Sequence, residues 1–235
     1  RGRIRLGGKV ALITGGARGI GESIARVFAK NGAKVVIADI LDNNGRLVCQ
    51  DLGPEVANFI HCDVTDESLV ENAVDTVVAR YSKLDIMVNN AAVADETQPS
   101  ILDNRKSEFE RVVGVNLTGV FLGTKHAARV MIPARSGSII TVGSVSSTVG
   151  GVASHAYTST KHAVVGLTRN VAAELGQFGI RVNCLSPYFI VTPLTMNFFG
   201  INDSSGVYSN LQGMALREED VAEAALFLGV TSQGM

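Results

Sequence analysis

The segment Val10–Gly21, with the sequence VALITGGARGIG, joins a short apolar run to a glycine-rich turn. The run Val10–Ile13 predicts a buried β-strand, and a helical pattern begins directly after the turn. Gly15, Gly19 and Gly21 allow a tight turn and a close approach of the backbone to a ligand. Free N–H groups and the positive end of a helix then face the same point, which favours a pyrophosphate. A plain strand-to-helix turn also uses glycine, so this turn alone leaves both interpretations open.

Short β-branched runs alternate with helical segments along the chain, which is typical of βαβ units. Six runs predict strands at Val10–Ile13, Lys34–Ala38, Ala57–Ile60, Leu84–Val88, Ser138–Val142 and Ile180–Leu185. Helical periods lie between them, for example over residues 21–30 and 68–80. The predicted fold is α/β: a single doubly wound (Rossmann) parallel sheet with helices on both faces. Because no linker or internal repeat interrupts the alternation, residues 1–235 are expected to form a single dinucleotide-binding and catalytic domain.

The composition excludes several classes of partner. The formal net charge is -1 and no Lys/Arg-rich run occurs, so neither nucleic acid nor a membrane is expected as a partner. No apolar stretch approaches the roughly 20 residues of a membrane helix, and residues 1–9 lack the apolar core of a signal peptide. We therefore expect a soluble, cytoplasmic protein. The cysteines are widely spaced and predict reduced thiols and no metal site, at Cys49, Cys62 and Cys184.

Asp39 ends the second β-branched run and lies 18 residues after Gly21. This is where dinucleotide-binding folds place the acid that binds the adenosine ribose hydroxyls. An ionised carboxylate accepts hydrogen bonds from both hydroxyls and repels a 2′-phosphate, so Asp39 favours NAD over NADP. Two alternatives stay open, because an Asp can simply end a strand before a turn, and Arg18 in the glycine turn could bind a 2′-phosphate.

A tyrosine and a lysine, Tyr157 and Lys161, lie four residues apart and therefore share one face of a helix. A phenol has an ordinary pKa of about 10. A fixed cation nearby stabilises the phenolate and lowers that pKa, so Tyr157 becomes a usable general base near neutral pH. Such pairs also occur on solvated helix surfaces, so this interpretation depends on further residues.

Further polar residues accompany this pair. Ser144 follows the fifth predicted strand, 13 residues before Tyr157, and Asn116 lies in an apolar helical run over residues 112–123. In order and spacing the chain resembles the short-chain dehydrogenase/reductase family over nearly its whole length, through these residues, the glycine turn, Asp39, Asp63, Val64 and Asn89–Ala92.

The resemblance implies a role for each of these residues. Tyr157 would be the general acid/base, Lys161 would hold the nicotinamide ribose and lower the tyrosine pKa, and Ser144 would hydrogen-bond the reacting oxygen. Asn116 would hold a proton-relay water. The nicotinamide carries the redox chemistry, while the protein positions it and moves the proton. The cofactor, expected to be NAD, would be bound by Gly15, Arg18, Gly19, Ile20, Gly21, Asp39, Asp63, Val64, Asn90, Ala91, Tyr157, Lys161, Pro187, Ile190 and Thr192.

Two segments, Lys125–Ala134 and Gly179–Tyr188, resemble a plant branch of the family that contains secoisolariciresinol dehydrogenase and borneol dehydrogenases. Other features depart from the family pattern. Alanine follows Asn90, and Tyr188 follows Pro187, where the family usually has glycine, so both could crowd the nicotinamide pocket. The family normally ends in a further strand and a glycine-containing tail that help form a tetramer. We therefore expect a homotetramer, with residues missing near 204–213 and after 235.

The segment after Thr192 is rich in apolar side chains and shows a poor helical or strand period. Such a segment either packs inward or covers something apolar. We predict a substrate lid around residues 193–214 over a hydrophobic pocket, because neither this segment nor Ala91–Ala94 offers an Arg or Lys to hold an anion. The alternative is the ordinary packing of a connecting helix on the core.

The predicted function is the NAD-dependent oxidation of a hydrophobic cyclic secondary alcohol to the ketone, with a monoterpenol such as borneol favoured as the substrate. Shape alone would then discriminate between substrates, and a methylene changes binding by about 1–3 kcal/mol. Three alternatives stay open: a lignan dehydrogenase, an NADPH-dependent carbonyl reductase that Arg18 would permit, and a non-catalytic dinucleotide-binding protein.

Overall fold

The computed structural model describes residues 4–95, 100–199 and 215–230 of the 235-residue chain. Within these residues a six-stranded sheet has the order β3-β2-β1-β4-β5-β6, and each neighbouring pair is parallel. This arrangement confirms the predicted doubly wound α/β fold. The strands are β1 (Val10–Thr14), β2 (Lys34–Asp39), β3 (Ala57–His61), β4 (Ile86–Asn89), β5 (Gly137–Val142) and β6 (Ile180–Leu185).

Helices cover both faces of the sheet. They are α1 (Gly19–Lys30), α2 (Asp42–Leu52), α3 (Glu67–Tyr81), α4 (Lys106–Val113), α5 (Gly119–Ala134), α6 (His155–Leu175), α7 (Pro193–Phe199) and α8 (Glu218–Gly229). No helix in these described ranges is both long and apolar enough to cross a membrane.

Alternate residues along each strand enter two separate hydrophobic cores. Ile13 and Ile37 pack in the core that contains Phe28 of α1, which also includes residues of α8. Leu12, the neighbour of Ile13 in β1, packs in the core that contains Val74 of α3, together with residues of α5. The sheet therefore separates the two cores.

The strand order reverses beside β1, which lies between β2 and β4. Thr14, the last residue of β1, connects this strand to the segment after β4. Its Oγ1 accepts hydrogen bonds from the Asn90 N–H at 3.1 Å and the Ala91 N–H at 3.2 Å. In open parallel sheets a ligand binds at the carboxyl ends of the strands where the order reverses. The fold thus places a binding crevice between the glycine turn and the segment after β4.

Three local structures differ from the sequence-based expectations. Strand β4 begins at Ile86 and not at Leu84, and the carboxylate of Asp85, just before it, accepts the Val10 N–H at 2.9 Å. The predicted helical run 112–123 is interrupted by a π-helical segment, Gly114–Thr118, between α4 and α5.

The third difference concerns the segment expected to have a poor helical period. Its first part forms α7, because Thr192 and Thr195 cap the helix reciprocally and Pro193 stands at the first position. The hydroxyl of Thr192 accepts the Thr195 N–H at 3.2 Å, and the hydroxyl of Thr195 accepts the Thr192 N–H at 2.8 Å. The rest of the predicted lid, residues 200–214, lies outside the described residues.

Candidate active site

A cavity of about 300 Å³ opens at the carboxyl ends of the strands. Two predicted site residues, Gly21 and Asn116, do not line it. All the other predicted residues do, namely Gly15, Arg18, Gly19, Ile20, Asp39, Asp63, Val64, Asn90, Ala91, Ser144, Tyr157, Lys161, Pro187, Ile190 and Thr192.

The glycine turn forms one wall of the cavity. Gly15 has a φ of +64°, and a Cβ atom there would lie 2.7 Å from the Ala91 Cα. A Cβ on Gly21 would lie 2.1 Å from the Gly15 carbonyl oxygen, so this glycine serves the close packing of helix on turn. Helix α1 starts beside the cavity, and its N-cap residue Arg18 makes no side-chain capping hydrogen bond. The first N–H groups of α1 are therefore available to an anionic group such as a pyrophosphate.

Asp39 fixes the next part of the cavity. Its side chain is 8% exposed, and its two oxygens accept the Ala17 N–H and the Leu41 N–H, each at 3.0 Å. The neighbouring Ile40 also lines the cavity. The carboxylate thus holds the glycine turn against the end of β2 and at the same time faces the crevice, next to an apolar side chain.

Two further polar residues support this end of the cavity. Asp63 accepts hydrogen bonds from the N–H of Thr65 at 2.9 Å and from its hydroxyl at 2.8 Å. The Asn90 amide donates to the carbonyl oxygens of Thr14 at 3.1 Å and Gly15 at 2.8 Å. The amide N–H groups of Asn90 therefore bind the backbone of the glycine turn.

Tyr157 and Ser144 meet at the other end of the cavity. Tyr157 lies in the first turn of α6, and the Ser154 hydroxyl caps this helix by accepting the Tyr157 N–H at 3.2 Å. Ser144 follows β5, and its hydroxyl accepts the Ser146 N–H at 3.1 Å. Burial raises the pKa of the Tyr157 phenol, and the hydrogen bond with Ser144 lowers this pKa by a smaller amount.

Lys161 lies one helical turn after Tyr157 and is 3% exposed. Its ammonium group donates to the Val142 carbonyl oxygen at 2.8 Å and lies 5.4 Å from the centroid of the Tyr157 ring. Burial lowers the pKa of Lys161 to about 8. The pKa of Tyr157 is therefore raised and not lowered as expected, because burial disfavours the charged form of each partner.

Asn116 is fully buried in the π-helical segment. Its Oδ1 accepts the Val93 N–H at 2.8 Å, and its Nδ2 donates to the Val93 carbonyl oxygen at 2.9 Å and to the Thr160 hydroxyl at 3.4 Å. The side chain thus connects the segment after β4 to α6. Its role in holding a water stays a prediction.

Several apolar residues of the cavity were missed by sequence reasoning. They follow β5 and β6, as Val145, Val152, Ala153 and Phe189, whereas Val93, Ala94 and Leu194 line the cavity in segments for which the sequence predicted an apolar pocket. One signal was present in the sequence, because Val145, Val152 and Ala153 lie between Ser144 and Tyr157. A loop that joins two catalytic residues borders the same site.

The crevice has Ser144, Tyr157 and Lys161 at one end and the glycine turn at the other. This arrangement is typical of a dinucleotide-dependent oxidoreductase, and comparison with known proteins agrees. The family model for short chain dehydrogenases matches residues 9–200. The chain therefore belongs to the short-chain dehydrogenase/reductase family. This family uses a nicotinamide dinucleotide as its cofactor.

Plant enzymes are among the similar proteins. The chain is 57% identical to secoisolariciresinol dehydrogenase of Forsythia intermedia over 95% of this chain and 83% of that protein. It is also 57% identical to a mitochondrial borneol dehydrogenase of Lavandula x intermedia, over 95% of this chain and 84% of that protein. Among solved structures, a 3-ketoacyl-(acyl-carrier-protein) reductase from Brucella melitensis complexed with NADH is 36% identical, with a TM-score of 0.88, and the match covers 97% of this chain and 93% of that one.

Proposed function

We propose that this protein catalyses the NAD-dependent oxidation of a hydrophobic cyclic secondary alcohol to the ketone, and that a monoterpenol such as borneol is the favoured substrate. The observation that carries the proposal is the apolar wall beside Tyr157. Among the described residues that line the cavity, the charged side chains are Arg18, Asp39, Asp63 and Lys161. The first three lie at the glycine-turn end, so a charged substrate would find no counter-ion beside Tyr157 except Lys161.

The residues of the cavity fit a dinucleotide, because the glycine turn leaves no room for side chains at Gly15 and Gly21 and offers free N–H groups. When bound, the nicotinamide supplies the acceptor for the two electrons of the alcohol C–H bond. Tyr157 Oη takes the proton of the alcohol hydroxyl, and Ser144 Oγ, whose hydrogen bond lowers the Tyr157 pKa, holds the same oxygen in place. Lys161 Nζ would hold the cofactor ribose.

The preference for NAD rests on Asp39. Its carboxylate is held in place by two backbone N–H groups, so it cannot turn away from a 2′-phosphate. We expect Asp39→Ala to weaken NAD binding and to relieve this repulsion, which strengthens NADP binding. Both changes reduce the ratio of the affinities for NAD and NADP. Kd values for NADH and NADPH test this, and a wild type that prefers NADPH contradicts the assignment.

The substrate is tested by a screen for NAD reduction with cyclic terpenols, lignan lactols and sterols, against sugars, hydroxy acids and phosphorylated alcohols as controls. The chain has no Trp, so NADH fluorescence can be read with little protein background. We expect the highest kcat/KM for terpenols, with modest selectivity among them. A much higher kcat/KM for a charged or phosphorylated substrate contradicts the proposal.

Two related activities have specific support. The identity to secoisolariciresinol dehydrogenase favours a lignan substrate as the second candidate. Arg18 lines the cavity and supports an NADPH-dependent carbonyl reductase. The same panel, run in both directions with both cofactors, separates these activities, and NADH formation from any alcohol excludes a non-catalytic dinucleotide-binding protein.

A homotetramer in the cytoplasm completes the proposal. Support for assembly comes from Phe109 of α4 and Phe121 of α5, which are large apolar side chains exposed on neighbouring elements. Light scattering of the full-length protein tests the oligomeric state. Because one relative is named as mitochondrial, a fluorescent tag on the full-length protein tests the location.

A further inference from the structure

Two buried polar side chains meet behind the cavity wall. Asp95, in the segment after β4, is 7% exposed, and Ser154, directly before α6, is 2% exposed. The Ser154 hydroxyl donates a hydrogen bond to the Asp95 carboxylate. The same hydroxyl accepts the Tyr157 N–H at 3.2 Å. One hydroxyl therefore connects a buried carboxylate to the backbone of the residue that carries the phenol.

The direction of these hydrogen bonds matters. A serine hydroxyl has a single proton, and in this structure that proton goes to the Asp95 carboxylate. The lone pairs of the Ser154 oxygen then remain for the Tyr157 N–H, and a hydrogen bond to a carboxylate polarises the hydroxyl and strengthens this second bond. The negative charge of Asp95 also lies at the N-terminal end of α6, where the helix dipole favours it.

The segment that contains Asp95 is held at each of three successive residues. Asn116 binds both the N–H and the carbonyl oxygen of Val93. Arg111 donates to the Ala94 carbonyl oxygen at 3.0 Å. Ser154 donates to Asp95. Because Val93 and Ala94 line the cavity, these contacts hold an apolar wall of the substrate end.

A cap for α6 does not by itself require Asp95. A serine hydroxyl alone satisfies the N-cap position of a helix, as is common in proteins. A carboxylate that is this deeply buried is destabilising unless it is well hydrogen-bonded. Its presence here thus calls for a benefit beyond helix capping, and the contact joins the substrate wall to the first turn of the helix that carries Tyr157.

We propose that Asp95 is a positioning residue, whose hydrogen bond from Ser154 fixes the phenol of Tyr157 relative to the cavity wall formed by Val93 and Ala94. This inference rests on the proposed function. Asp95 contacts neither the phenol nor the glycine turn in the hydrogen bonds described, so it acts through Ser154 and not on the cofactor.

The test compares variants that break or keep the contact. Asp95→Ala and Ser154→Ala break it, whereas Asp95→Asn keeps an acceptor for the Ser154 hydroxyl. We expect Asp95→Ala to lower kcat about tenfold while the Kd of NADH stays within about twofold, because a small misplacement of a catalytic group slows the reaction without weakening the cofactor contacts. Asp95→Asn should restore most of this loss. The double variant Asp95→Ala/Ser154→Ala should be no slower than either single variant, because both remove the same contact.

A matched control removes the cap of a helix that carries no catalytic residue. Asp66 caps α3 by accepting the Ser68 and Leu69 N–H groups. Asp66→Ala should lower the Tm and leave kcat unchanged. Three results overturn the proposal: an unchanged kcat in Asp95→Ala, a loss that Asp66→Ala reproduces, or fully additive losses in the double variant.

A second readout does not depend on turnover. Hydrogen exchange of the Tyr157 amide should be faster in Asp95→Ala than in the wild type, and Asp95→Asn should restore its protection, with NADH binding intact in both. If the wild type oxidises none of the alcohols, the proposed function fails, and amide exchange still tests the positioning role. Unchanged protection of Tyr157 in Asp95→Ala then overturns the role of Asp95 alone.

Discussion

Tyr157 and Lys161 are both buried at one end of the cavity, and this burial disfavours the charged form of each side chain. The pKa of the Tyr157 phenol is raised, and that of the Lys161 ammonium is lowered. The pattern of residues 157 and 161 predicted the pairing, because four residues make one turn of helix. It could not predict the pKa directions, because these depend on burial by segments distant in sequence.

The phenol itself is tested by Tyr157→Phe, which removes only the hydroxyl. We expect kcat to fall by about 10²–10⁴-fold, the usual contribution of a general base, while NADH binding persists. Tyr81→Phe is the matched control, because the Tyr81 hydroxyl accepts from Asn58 at 2.7 Å at the end of α3, away from the cavity. Near wild-type turnover in Tyr157→Phe would remove Tyr157 from the mechanism.

Burial of Lys161 predicts a stability that depends on pH. Its pKa falls from the ordinary value of 10.5 to about 8 in the folded chain. The unfolded chain binds more protons between these values, so stability rises with pH across that window. Below about pH 8 the buried ammonium destabilises the fold by on the order of 3 kcal/mol, because one pKa unit corresponds to about 1.4 kcal/mol.

We therefore expect Lys161→Met to abolish turnover and yet to raise the free energy of unfolding of the ligand-free chain at pH 7. This advantage should vanish as the pH approaches 10.5. Urea titrations at several pH values measure it, and Lys106→Met at an exposed position serves as the control. An advantage that is the same at every pH would mean that packing of the methionine causes it.

At the scale of single elements, α1 and the glycine turn depend on contact between their backbones. Gly21→Ala would place a Cβ 2.1 Å from the Gly15 carbonyl oxygen, so the helix must shift away from the turn. We expect this variant to lose stability and to weaken NADH binding by about tenfold or more. Thermal unfolding and NADH titration measure the two effects.

A second glycine-to-alanine change in a helix provides the comparison. A Cβ on Gly166 of α6 would meet no atom within 4 Å. Gly166→Ala should therefore stabilise the chain by about 0.5–1 kcal/mol, because alanine restricts the unfolded chain more than glycine does. If both variants change the stability in the same direction, close packing is not the reason for a glycine at position 21.

Elements were predictable where a local pattern alone determines them. The β-branched runs located six strands, and Thr192 followed by Pro193 and Thr195 was a helix-start signal that hydropathy alone overlooked. The π-helical segment around Asn116 had no such signal, and the contacts of Asn116 with Val93 and Thr160 join residues distant in sequence. Likewise the contact between Asp95 and Ser154 joins residues 59 positions apart.

At the scale of the whole molecule, the sheet keeps two cores apart. Phe28 packs in one and Val74 in the other. We expect Phe28→Leu and Val74→Ala each to lower the free energy of unfolding by about 1–3 kcal/mol, since each removes buried apolar atoms. The double variant should equal the sum within about 0.5 kcal/mol, because the two sites share no contact. Chemical denaturation of the four proteins measures this, and a clear departure from additivity would show that strain passes through the sheet.

The separation of the two cores has a consequence for the way such a protein can change over generations. Substitutions that repack α3 and α5 alter one side of the sheet and leave the opposite core, behind the glycine turn, in place. A lineage can therefore accumulate changes on the first side while it retains the same glycine turn, provided that Val64 and Ala91, which pack on that side, are kept. Laboratory libraries confined to that side should accordingly yield many folded variants that still bind NADH.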